Sequence, residues 1–322
     1  MKLLTCLLFV FATAMAKPKD IIEFFEGKSP SNLKWAHAVN TKDLLDKALK
    51  DTSINMIEAD VRMGKLKTET AYAVDDIPIM SHDTAESDLS LEEFLIQVKG
   101  QTAERKVGIK LDFKDLLAYN QLDTEKFQTD INALNVPVLL NADVVKGPGK
   151  TPKAGVSIKL IEKLEGVLYS LGWTTGDFIE EEKEEAKPEK KDGEEAQKEK
   201  DNEYTETHVK AMEIYVKTNF VESKITFPVR AMFLSRNVKV FTEYLKDEKY
   251  TMTVWSAEDD DKHIKIPELS NFLLDNSKKV FVDIPKTVQD SIDKHRKNGG
   301  TSAMPMAATI LAFIALALNY FN

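Results

Sequence analysis

Short segments rich in apolar and β-branched residues recur along the chain, and helix-like segments separate most of them. Eight are predicted strands, at 33–39, 56–62, 106–113, 137–144, 167–173, 225–233, 250–256 and 279–284. Apolar residues recur with helical spacing in connecting segments such as 41–51, 91–100, 157–166 and 237–247. The strands are too apolar to have a solvated face, which indicates a parallel sheet covered by helices. Eight strand-then-helix units predict an α/β fold, a (β/α)8 TIM-type barrel.

An open, doubly wound parallel sheet is the alternative architecture. Its usual dinucleotide-binding form carries Gly-x-Gly-x-x-Gly directly after the first strand. The first predicted strand, 33–39, is followed by no such motif. This excludes that form of the open sheet and leaves the barrel as the predicted fold.

One segment has too few apolar residues to pack. Residues 178–205 are dominated by Glu and Lys, so we predict a disordered or loosely helical acidic insertion after the fifth strand. In a barrel this is a βα loop, which lies at the functional rim. The insertion is then either a solvated spacer or an acidic flap that meets a basic partner.

The charge distribution argues against one class of partner. The formal net charge is −9, and the segment 180–203 accounts for −6 of it, with ten Glu and two Asp against six Lys. The rest of the domain is only slightly acidic and has no basic patch or stripe. Nucleic acid is therefore not an expected partner.

Both ends of the chain have the pattern of a processing signal. Residues 1–16 combine one lysine, an apolar run and a small-x-small end, which predicts a cleaved secretory signal peptide. Residues 299–322 predict a glycosylphosphatidylinositol (GPI) attachment signal that is removed, with Asn298 as the anchor site. A tail-end membrane span is the alternative, but the apolar run is shorter than the ~20 residues that a bilayer requires. The expected product is a barrel of residues 17–298, extracellular and GPI-anchored at the cell surface.

The second predicted strand, "MIEADVR", has two acidic residues among apolar ones. Glu58 and Asp60 are two residues apart and therefore share one face of the strand. In a barrel, Ile57, Ala59 and Val61 would face the helices, which leaves the two carboxylates pointing into the interior. They lie near the C-terminal end of the strand, where such barrels place their chemistry.

The same alternation brings polar residues of other segments to the inner face. The third strand contributes Lys110, Asp112 and Lys114, and the loop after the second strand adds His82 and Asp83. Other inward residues near strand ends are Trp35 and His37 on the first strand, Asn141 and Asp143 on the fourth, and Trp255 on the seventh. The agreement in face and strand end indicates one common site.

Three of these inward groups, Glu58, Asp60 and Asp112, are carboxylates. In a closed site, desolvation and mutual repulsion would raise their pKa values unless another charge compensated them. A divalent cation supplies that charge, and all-oxygen ligands favour Mg²⁺ or Ca²⁺ over zinc. The alternative is a structural network in which Glu58 and Asp60 pair with Lys110 and Lys114.

Two histidines complete a set that is suited to phosphodiester cleavage. If His37 and His82 approach the metal from opposite sides, they can serve as general base and general acid. Lys114 and the cation would neutralise the charge that develops on a phosphoryl oxygen.

Blocks of the sequence resemble the menorin family. In chain order these are "WAHAVNTKDLLDKAL", "MIEADV", "IPIMSHD", "GIKLDFK", "PVLLNADVVKGPG", "YSLGWTT", "TFPVRA" and "MTVWSAED", which cover about residues 33–284. Relative to that family, 178–205 is an insertion. Menorin domains are in turn similar to phospholipase C-like phosphodiesterase barrels, such as glycerophosphodiester phosphodiesterases, so the resemblance implies the barrel and a metal-dependent site.

The resemblance also implies roles for individual residues. The enzymes have a histidine ending the first strand, Glu-x-Asp ending the second, His-Asp shortly after, and acid-x-Lys on the third. The implied catalytic residues are His37, His82 and Lys114, and the implied metal ligands are Glu58, Asp60 and Asp112. The residues expected to line the substrate pocket are Lys110, Asn141, Trp255 and Glu258.

The residues nearest the substrate depart from the enzymes' pattern. His37 is followed by Ala38 and Val39, where the enzymes have His-Arg-Gly, and the Glu-Asn-Thr motif of glycerophosphodiesterases is missing. Residues 255–258 read Trp-Ser-Ala-Glu in place of Trp-Thr-Val-Asn or Trp-Thr-Val-Asp. The resemblance therefore implies the ligand set but not the substrate.

Three functions are compatible with these patterns. The first is a cell-surface, metal-dependent phosphodiesterase that acts on a small phosphodiester or lipid headgroup, in a phospholipid or lysophospholipid. Because the family is known for extracellular roles in shaping nerve-cell processes, the second is a non-catalytic protein whose barrel binds adhesion receptors. The third is a glycan-processing barrel. It requires carboxyl groups ~5 to 9 Å apart on different elements, whereas Glu58 and Asp60 share one strand.

Overall fold

The computed structural model describes residues 20–67, 75–101, 105–151, 164–180, 201–220 and 224–299. The predicted signal peptide and nearly all of the predicted GPI signal lie outside these ranges. So do residues 181–200 of the acidic insertion and most of the predicted helix 157–166. These predictions remain predictions.

Eight strands form one parallel sheet in the predicted order. In space they run β1 (Trp35–Ala36), β2 (Met56–Leu66), β5 (Gly108–Phe113), β6 (Val138–Lys146), β7 (Leu168–Thr174), β8 (Ile225–Arg230), β9 (Tyr250–Trp255) and β10 (Val280–Asp283). Each neighbouring pair from β1 to β10 is parallel. The fold is a nearly closed (β/α)8 TIM-type barrel, which confirms the predicted fold class.

Side chains bridge the first and last barrel strands. The rings of Trp35 and Phe281 meet edge to face with centroids 6.4 Å apart. At the C-terminal ends of the same two strands, His37 Nδ1 lies 2.9 Å from Asp283 Oδ2. These contacts join β1 to β10 and bring the two ends of the sheet together.

Helices of varied length connect the strands. In the described ranges, α-helices span Ile21–Phe24, Lys42–Lys50, Leu91–Gln101, Leu116–Asn120, Thr124–Leu134, Glu206–Asn219, Ala231–Leu234, Ile266–Asp275 and Lys286–Lys297. The side chains that cap their N-termini include those of Asp20, Thr41, Asp115, Asp123 and Thr205. No helix within these ranges has the length and apolarity needed to cross a membrane.

The predicted helix 237–247 is wrong. This segment forms two separate 3-10 turns, Val238–Phe241 and Tyr244–Lys246. Val238 and Val240 are β-branched and disfavour a continuous α-helix. The turns instead bury Phe241, Tyr244 and Leu245 against the barrel.

The second strand extends beyond the barrel. Residues 77–80, expected to lie in a loop, form β3, which pairs antiparallel with the outer part of β2. A two-residue strand, β4 (Glu86–Ser87), pairs with the end of β2. The chain therefore turns back over the barrel mouth between β3 and β4, and this turn carries His82 and Asp83.

Burial follows the predicted alternation. Ile57, Ala59 and Val61 are fully buried in the large apolar layer between sheet and helices. On the inner face, Met56, Leu139 and Phe281 join a second apolar cluster at the lower end of the barrel. Above this cluster the interior becomes polar, because the next inward residues of the same strands carry charged or hydrogen-bonding side chains.

Both described edges of the acidic insertion are packed. The Asn202 side chain makes two hydrogen bonds of 2.9 Å with the backbone of Ile179. Tyr204 is fully buried and packs edge to face on Trp173. The described residues end at 180 and begin again at 201, so both ends of the predicted insertion, 178–180 and 201–205, belong to the packed barrel.

Candidate functional site

Polar side chains from seven strands share the upper part of the barrel interior. The buried members are Glu58 and Asp60 on β2, Lys110 on β5, Asn141 on β6, Ser170 on β7, Thr226 on β8, Thr253 on β9 and Asp283 on β10. Asp112 on β5 is nearly as deeply placed, with a side chain 13% exposed. A polar layer of this kind is absent from a purely structural barrel core, which is filled by apolar side chains.

The three predicted metal ligands come together. One carboxylate oxygen from each of Glu58, Asp60 and Asp112 lies within 4.8 Å of the others. Their meeting follows from the strand register, because Glu58 is level with Lys110 and Asp60 with Asp112 on adjacent strands. The alternation of the two strands then turns all three carboxylates to the same interior point.

Backbone and amide donors fix the two carboxylates of β2. The Ala38 N–H donates to Glu58 Oε2 at 2.7 Å. Ala38 has a φ of 52°, a left-handed conformation that is uncommon for alanine. Asn40 donates to Asp60 Oδ2 at 2.7 Å and accepts from the Asp60 N–H at 2.9 Å. The segment after β1 is thus shaped around these two side chains.

The third carboxylate is fixed from the other side. Asn141 Nδ2 donates to Asp112 Oδ1 at 2.6 Å, and Ser170 Oγ donates to Asn141 Oδ1 at 2.5 Å. Asn141, which was expected in the substrate pocket, therefore orients Asp112. Such partners hold ligand groups in a fixed geometry before a metal binds.

Lys114 joins two of the carboxylates. Its Nζ lies 3.0 Å from Asp60 Oδ1 and 2.7 Å from Asp112 Oδ2. Burial alone would lower the pKa of Lys114, but the charges of Asp112 and Asp60 outweigh it and raise that pKa well above its ordinary value. The Lys114 half of the alternative ion-pair network is therefore present. Among the described residues, Lys110 makes no ion pair or hydrogen bond.

The charges of the cluster are unevenly compensated. Burial, and then the charge of Asp60, raise the pKa of Glu58. Burial would also raise the pKa of Asp112, but Lys114, Lys110 and its hydrogen bonds lower it to about 2. Negative charge is therefore well stabilised at Asp112 and poorly stabilised at Glu58, which is the carboxylate that would gain most from a bound cation.

The cluster fits a hard divalent cation. Its donors are all carboxylate oxygens, which suit Mg²⁺ and Ca²⁺. Metal–oxygen distances of ~2.0 to 2.6 Å allow oxygens on opposite sides of such an ion to be up to ~5 Å apart, which covers the 4.8 Å spread of this cluster. Glu58, Asp60 and Asp112 could therefore bind a metal ion.

His37 lies at the end of β1 beside this cluster. Its Nδ1 donates to Asp283 Oδ2 at 2.9 Å and lies 3.6 Å from Glu58 Oε2. Burial would lower the pKa of His37, but the hydrogen bond and charge of Asp283, and then the charge of Glu58, raise it to about 9. The side chain is 47% exposed, so Nε2 is the ring nitrogen left to meet a substrate.

His82 lies in the turn after β3, with a side chain 56% exposed. Its Nδ1 lies 2.6 Å from Asp83 Oδ1, which fixes the ring in the same manner as Asp283 fixes His37. The preceding residue, Ser81, donates its N–H to the Asp60 carbonyl at 2.9 Å. The turn is thus attached to the strand that carries two of the three carboxylates.

The two expected pocket residues after β9 differ in position. Trp255 ends β9, and Arg230 lies over its ring at 5.3 Å. Glu258 is exposed, and no contact ties it to the site within the described ranges. Asp260 turns inward instead and forms a two-pronged ion pair with Arg230 at 2.9 and 2.8 Å.

Sequence reasoning missed three residues that shape the site: Asn40, Asp283 and Asp260. It placed Asp143 on the inner face but assigned it no role. Burial and the nearby charge of Asp112 raise the pKa of Asp143 to about 7. Its carboxylate lies against Gly172, where a Cβ would come within 2.1 Å of Asp143 Oδ1. The glycine in "SLGW" was the signal for this close approach.

Comparisons with known proteins gave a family match and a match to a solved structure. A family model described as the Menorin N-terminal domain matches residues 30–289. A solved glycerophosphoryl diester phosphodiesterase from Parabacteroides distasonis is 12% identical, with a TM-score of 0.37. That match covers 87% of this chain and 94% of the bacterial one.

Proposed function

Because the chain belongs to the menorin family, we propose that its barrel is a metal-dependent phosphodiesterase that hydrolyses a small phosphodiester or lipid headgroup. The observation that carries the proposal is one cluster: three converging carboxylates, one lysine between two of them, and a histidine beside Glu58. Such a cluster matches the charge pattern of phosphodiester hydrolysis, in which negative charge develops on phosphoryl oxygens.

The proposed cofactor is Mg²⁺ or Ca²⁺, held by Glu58, Asp60 and Asp112. When bound, the cation polarises a phosphoryl oxygen and offsets the charge on it. Lys114, within 3.0 Å of two of these carboxylates, adds a second positive charge at the same point. Lys110, level with Glu58 on the neighbouring strand, contributes a further buried positive charge.

The two histidines are proposed to move the protons. One imidazole accepts a proton from water as the water oxygen bonds to phosphorus, and the other protonates the leaving alkoxide as its P–O bond breaks. His37 and His82 each have Nδ1 beside a carboxylate, which keeps Nε2 available for this transfer. Trp255 and Glu258 are proposed to line the approach of the substrate, and Asn141 to orient Asp112.

The predicted location at the cell surface would suit a lipid substrate. The predicted signal peptide and the predicted GPI anchor at Asn298 would keep the barrel outside the cell, next to membrane phospholipid or lysophospholipid. Asn298 ends the last helix, so an anchor there would follow directly on the folded domain. Release of the protein from cells by a phosphatidylinositol-specific phospholipase tests the anchor.

A second function has one observation in its favour. Lys114 already pairs with Asp60 and Asp112, as in a structural network that needs no metal. The barrel would then be a non-catalytic scaffold whose rim binds cell-surface adhesion receptors. The first function remains preferred, because a scaffold does not need exposed histidines oriented by carboxylates.

Turnover by the purified domain tests the proposal. The protein would be incubated with Mg²⁺ and a panel of choline and glycerol phosphodiesters, including lysophospholipids. We expect hydrolysis that falls about 10²-fold or more in His37→Ala and in His82→Ala. His295→Ala, on the last helix, is the matched control and should keep full activity. Absence of turnover with every substrate, in a protein that binds receptor normally, would favour the scaffold.

A further inference from the structure

We infer that Arg62 is the anion-binding residue of the site, and that its guanidinium receives a non-bridging oxygen of the substrate's phosphate. The inference rests on the proposed function and specifies which group holds the anion. Arg62 is not among the site residues predicted from the sequence, although it continues the series Glu58, Asp60, Arg62 on one strand face.

The position of Arg62 follows from the strand. Residues two apart on a strand share a face and are ~6.7 Å apart, so Arg62 lies one step beyond Asp60 toward the barrel mouth. At this point β2 pairs with β3, since Arg62 is level with Ile79. A phosphate held at the carboxylate cluster would lie within reach of this long side chain.

Within the described residues, the hydrogen bonds of Arg62 use one of its three side-chain nitrogens. Nη1 donates to the His82 carbonyl oxygen at 3.1 Å. Nε is buried and has no hydrogen-bond partner in the described part of the chain. Nor does any carboxylate of those residues form an ion pair with Arg62, although three carboxylates lie on the same wall of the barrel. A guanidinium has five N–H donors, and leaving a buried one unmade is costly.

Two other arginines of the described residues, Arg230 and Arg105, each donate to several protein acceptors, which contrasts with Arg62. Arg230 pairs with Asp260 through two nitrogens and donates to the Gly176 carbonyl with a third. Arg105 donates to the backbone carbonyls of Ala48, Leu49, Asp51 and Ile54. At these two positions protein acceptors bind the guanidinium, whereas the Arg62 guanidinium has a single protein acceptor among the described residues, the His82 carbonyl oxygen.

A phosphate is the ligand that fits these donors. The planar guanidinium matches the spacing of two phosphate oxygens, and it is less strongly hydrated than an ammonium. Carboxylate ligands would repel the substrate anion, so a fixed positive charge above them offsets that repulsion. The bond to the His82 carbonyl also ties the anion site to the turn that carries one proposed proton carrier.

The experiment measures anion binding apart from turnover. Inorganic phosphate is titrated calorimetrically into the folded protein with Mg²⁺ present, for the natural chain, Arg62→Gln, Arg62→Lys and Lys65→Gln. Lys65 lies on the same strand, on the opposite face, 3.4 Å from Asp76, and its loss removes the same charge. The Mg²⁺ affinity of each protein is measured in parallel.

We expect Arg62→Gln to weaken phosphate binding about ten- to hundredfold, because it removes charge-assisted hydrogen bonds. Arg62→Lys should fall between the natural chain and Arg62→Gln, and Lys65→Gln should stay within about twofold. Mg²⁺ affinity should not fall in either Arg62 variant. If Arg62→Gln does not fold, weaker phosphate binding by Arg62→Lys decides in favour.

Two results would overturn the inference: no phosphate binding by the natural chain, or equal binding by the natural chain and both Arg62 variants. Lower stability with unchanged phosphate affinity is also negative, since it leaves Arg62 as a support for the turn alone. These outcomes distinguish failure of this inference from failure of the proposed function. Phosphate binding that depends on Arg62, in a protein without turnover, rejects only the proposed enzymatic function. Turnover that is unchanged in the Arg62 variants rejects only the role of Arg62.

Discussion

Two charged networks lie at the barrel mouth, and they are built on different principles. In the half formed by β8 and β9, Arg230 and Asp260 balance each other, and the remaining Arg230 nitrogen donates to Thr175 and Gly176. In the half formed by β2 and β5, the Lys114 ammonium contacts two of the three clustered carboxylates, Asp60 and Asp112, and Glu58 lies 3.6 Å from His37 Nδ1. The first network is balanced, whereas the second is unbalanced, because no lysine or arginine of the described residues forms an ion pair with Glu58.

The difference separates a pair that stabilises the fold from a cluster that could bind a ligand. A balanced, hydrogen-bonded pair gains nothing from a ligand and holds the loops in place. The unbalanced cluster has hydrogen bonds to Ala38, Asn40 and Asn141 that fix its carboxylates in place, so it could bind a cation. The predictions below separate the two networks.

The largest effect is expected in the balanced network. Asp260→Asn leaves the guanidinium of Arg230 without its charged partner. The Arg230 side chain is only 16% exposed. Breaking a buried pair on one side typically costs about 3 kcal/mol or more. Urea unfolding should show this loss in free energy of unfolding.

The matched change in the unbalanced network is Glu58→Gln. Burial and the charge of Asp60 raise the pKa of Glu58, so in a chelator the removal of this charge should cost at least about 1 kcal/mol less than Asp260→Asn. Equal losses in the two variants would show that the networks do not differ as described.

The second effect concerns the pKa of His37. Asp283→Asn removes the hydrogen bond and charge that hold this pKa near 9, so the pKa should fall toward its ordinary value. A histidine whose folded pKa is raised adds stability below its unfolded pKa, and loses it as pH rises through the folded value. The natural metal-free protein should therefore lose this contribution between about pH 6.5 and 9, and Asp283→Asn should not.

Proton NMR titration of the His37 ring measures this pKa directly. Asp290→Asn is the control, since Asp290 pairs with Lys286 on the surface of the last helix. An unmoved His37 titration in Asp283→Asn would contradict the assigned cause.

The third effect is the pH dependence that Asp143 introduces. Its folded pKa of about 7 lies above the ordinary 3.8, so the folded state favours the protonated form. The stability from this group is full below the unfolded pKa and is lost as pH rises through about 7. In chelator, Asp143→Asn should therefore stabilise the protein by about 1 kcal/mol at pH 8 and have little effect near pH 4. Thermal unfolding at the two pH values measures the difference.

The smallest effect is expected at Glu258. Its side chain is exposed, so Glu258→Gln should change the free energy of unfolding by less than about 0.5 kcal/mol. Divalent-cation affinity should also stay unchanged. A marked loss of substrate affinity in this variant would instead show that Glu258 contacts the substrate.

Sequence alternation was sufficient to place the carboxylates. Glu58, Asp60 and Asp112 could be assigned to one interior point because strand period and parallel order fix which face each residue occupies. Asp283 could not be paired with His37, since they are 246 residues apart and meet only when the barrel closes. Nor could the sequence show which acidic residue after β9 turns inward, because this depends on local turn geometry. A 3-10 turn there buries Asp260 and leaves Glu258 exposed.

We propose that Glu58, Asp60 and Asp112 hold one divalent cation, and calorimetric titration of Mg²⁺ and Ca²⁺ into the metal-free domain measures this binding. One equivalent should bind, with affinity at least tenfold weaker in Glu58→Gln and in Asp112→Asn, and unchanged in Asp290→Asn. No binding by the natural chain, or equal affinity in all four proteins, would contradict the claim.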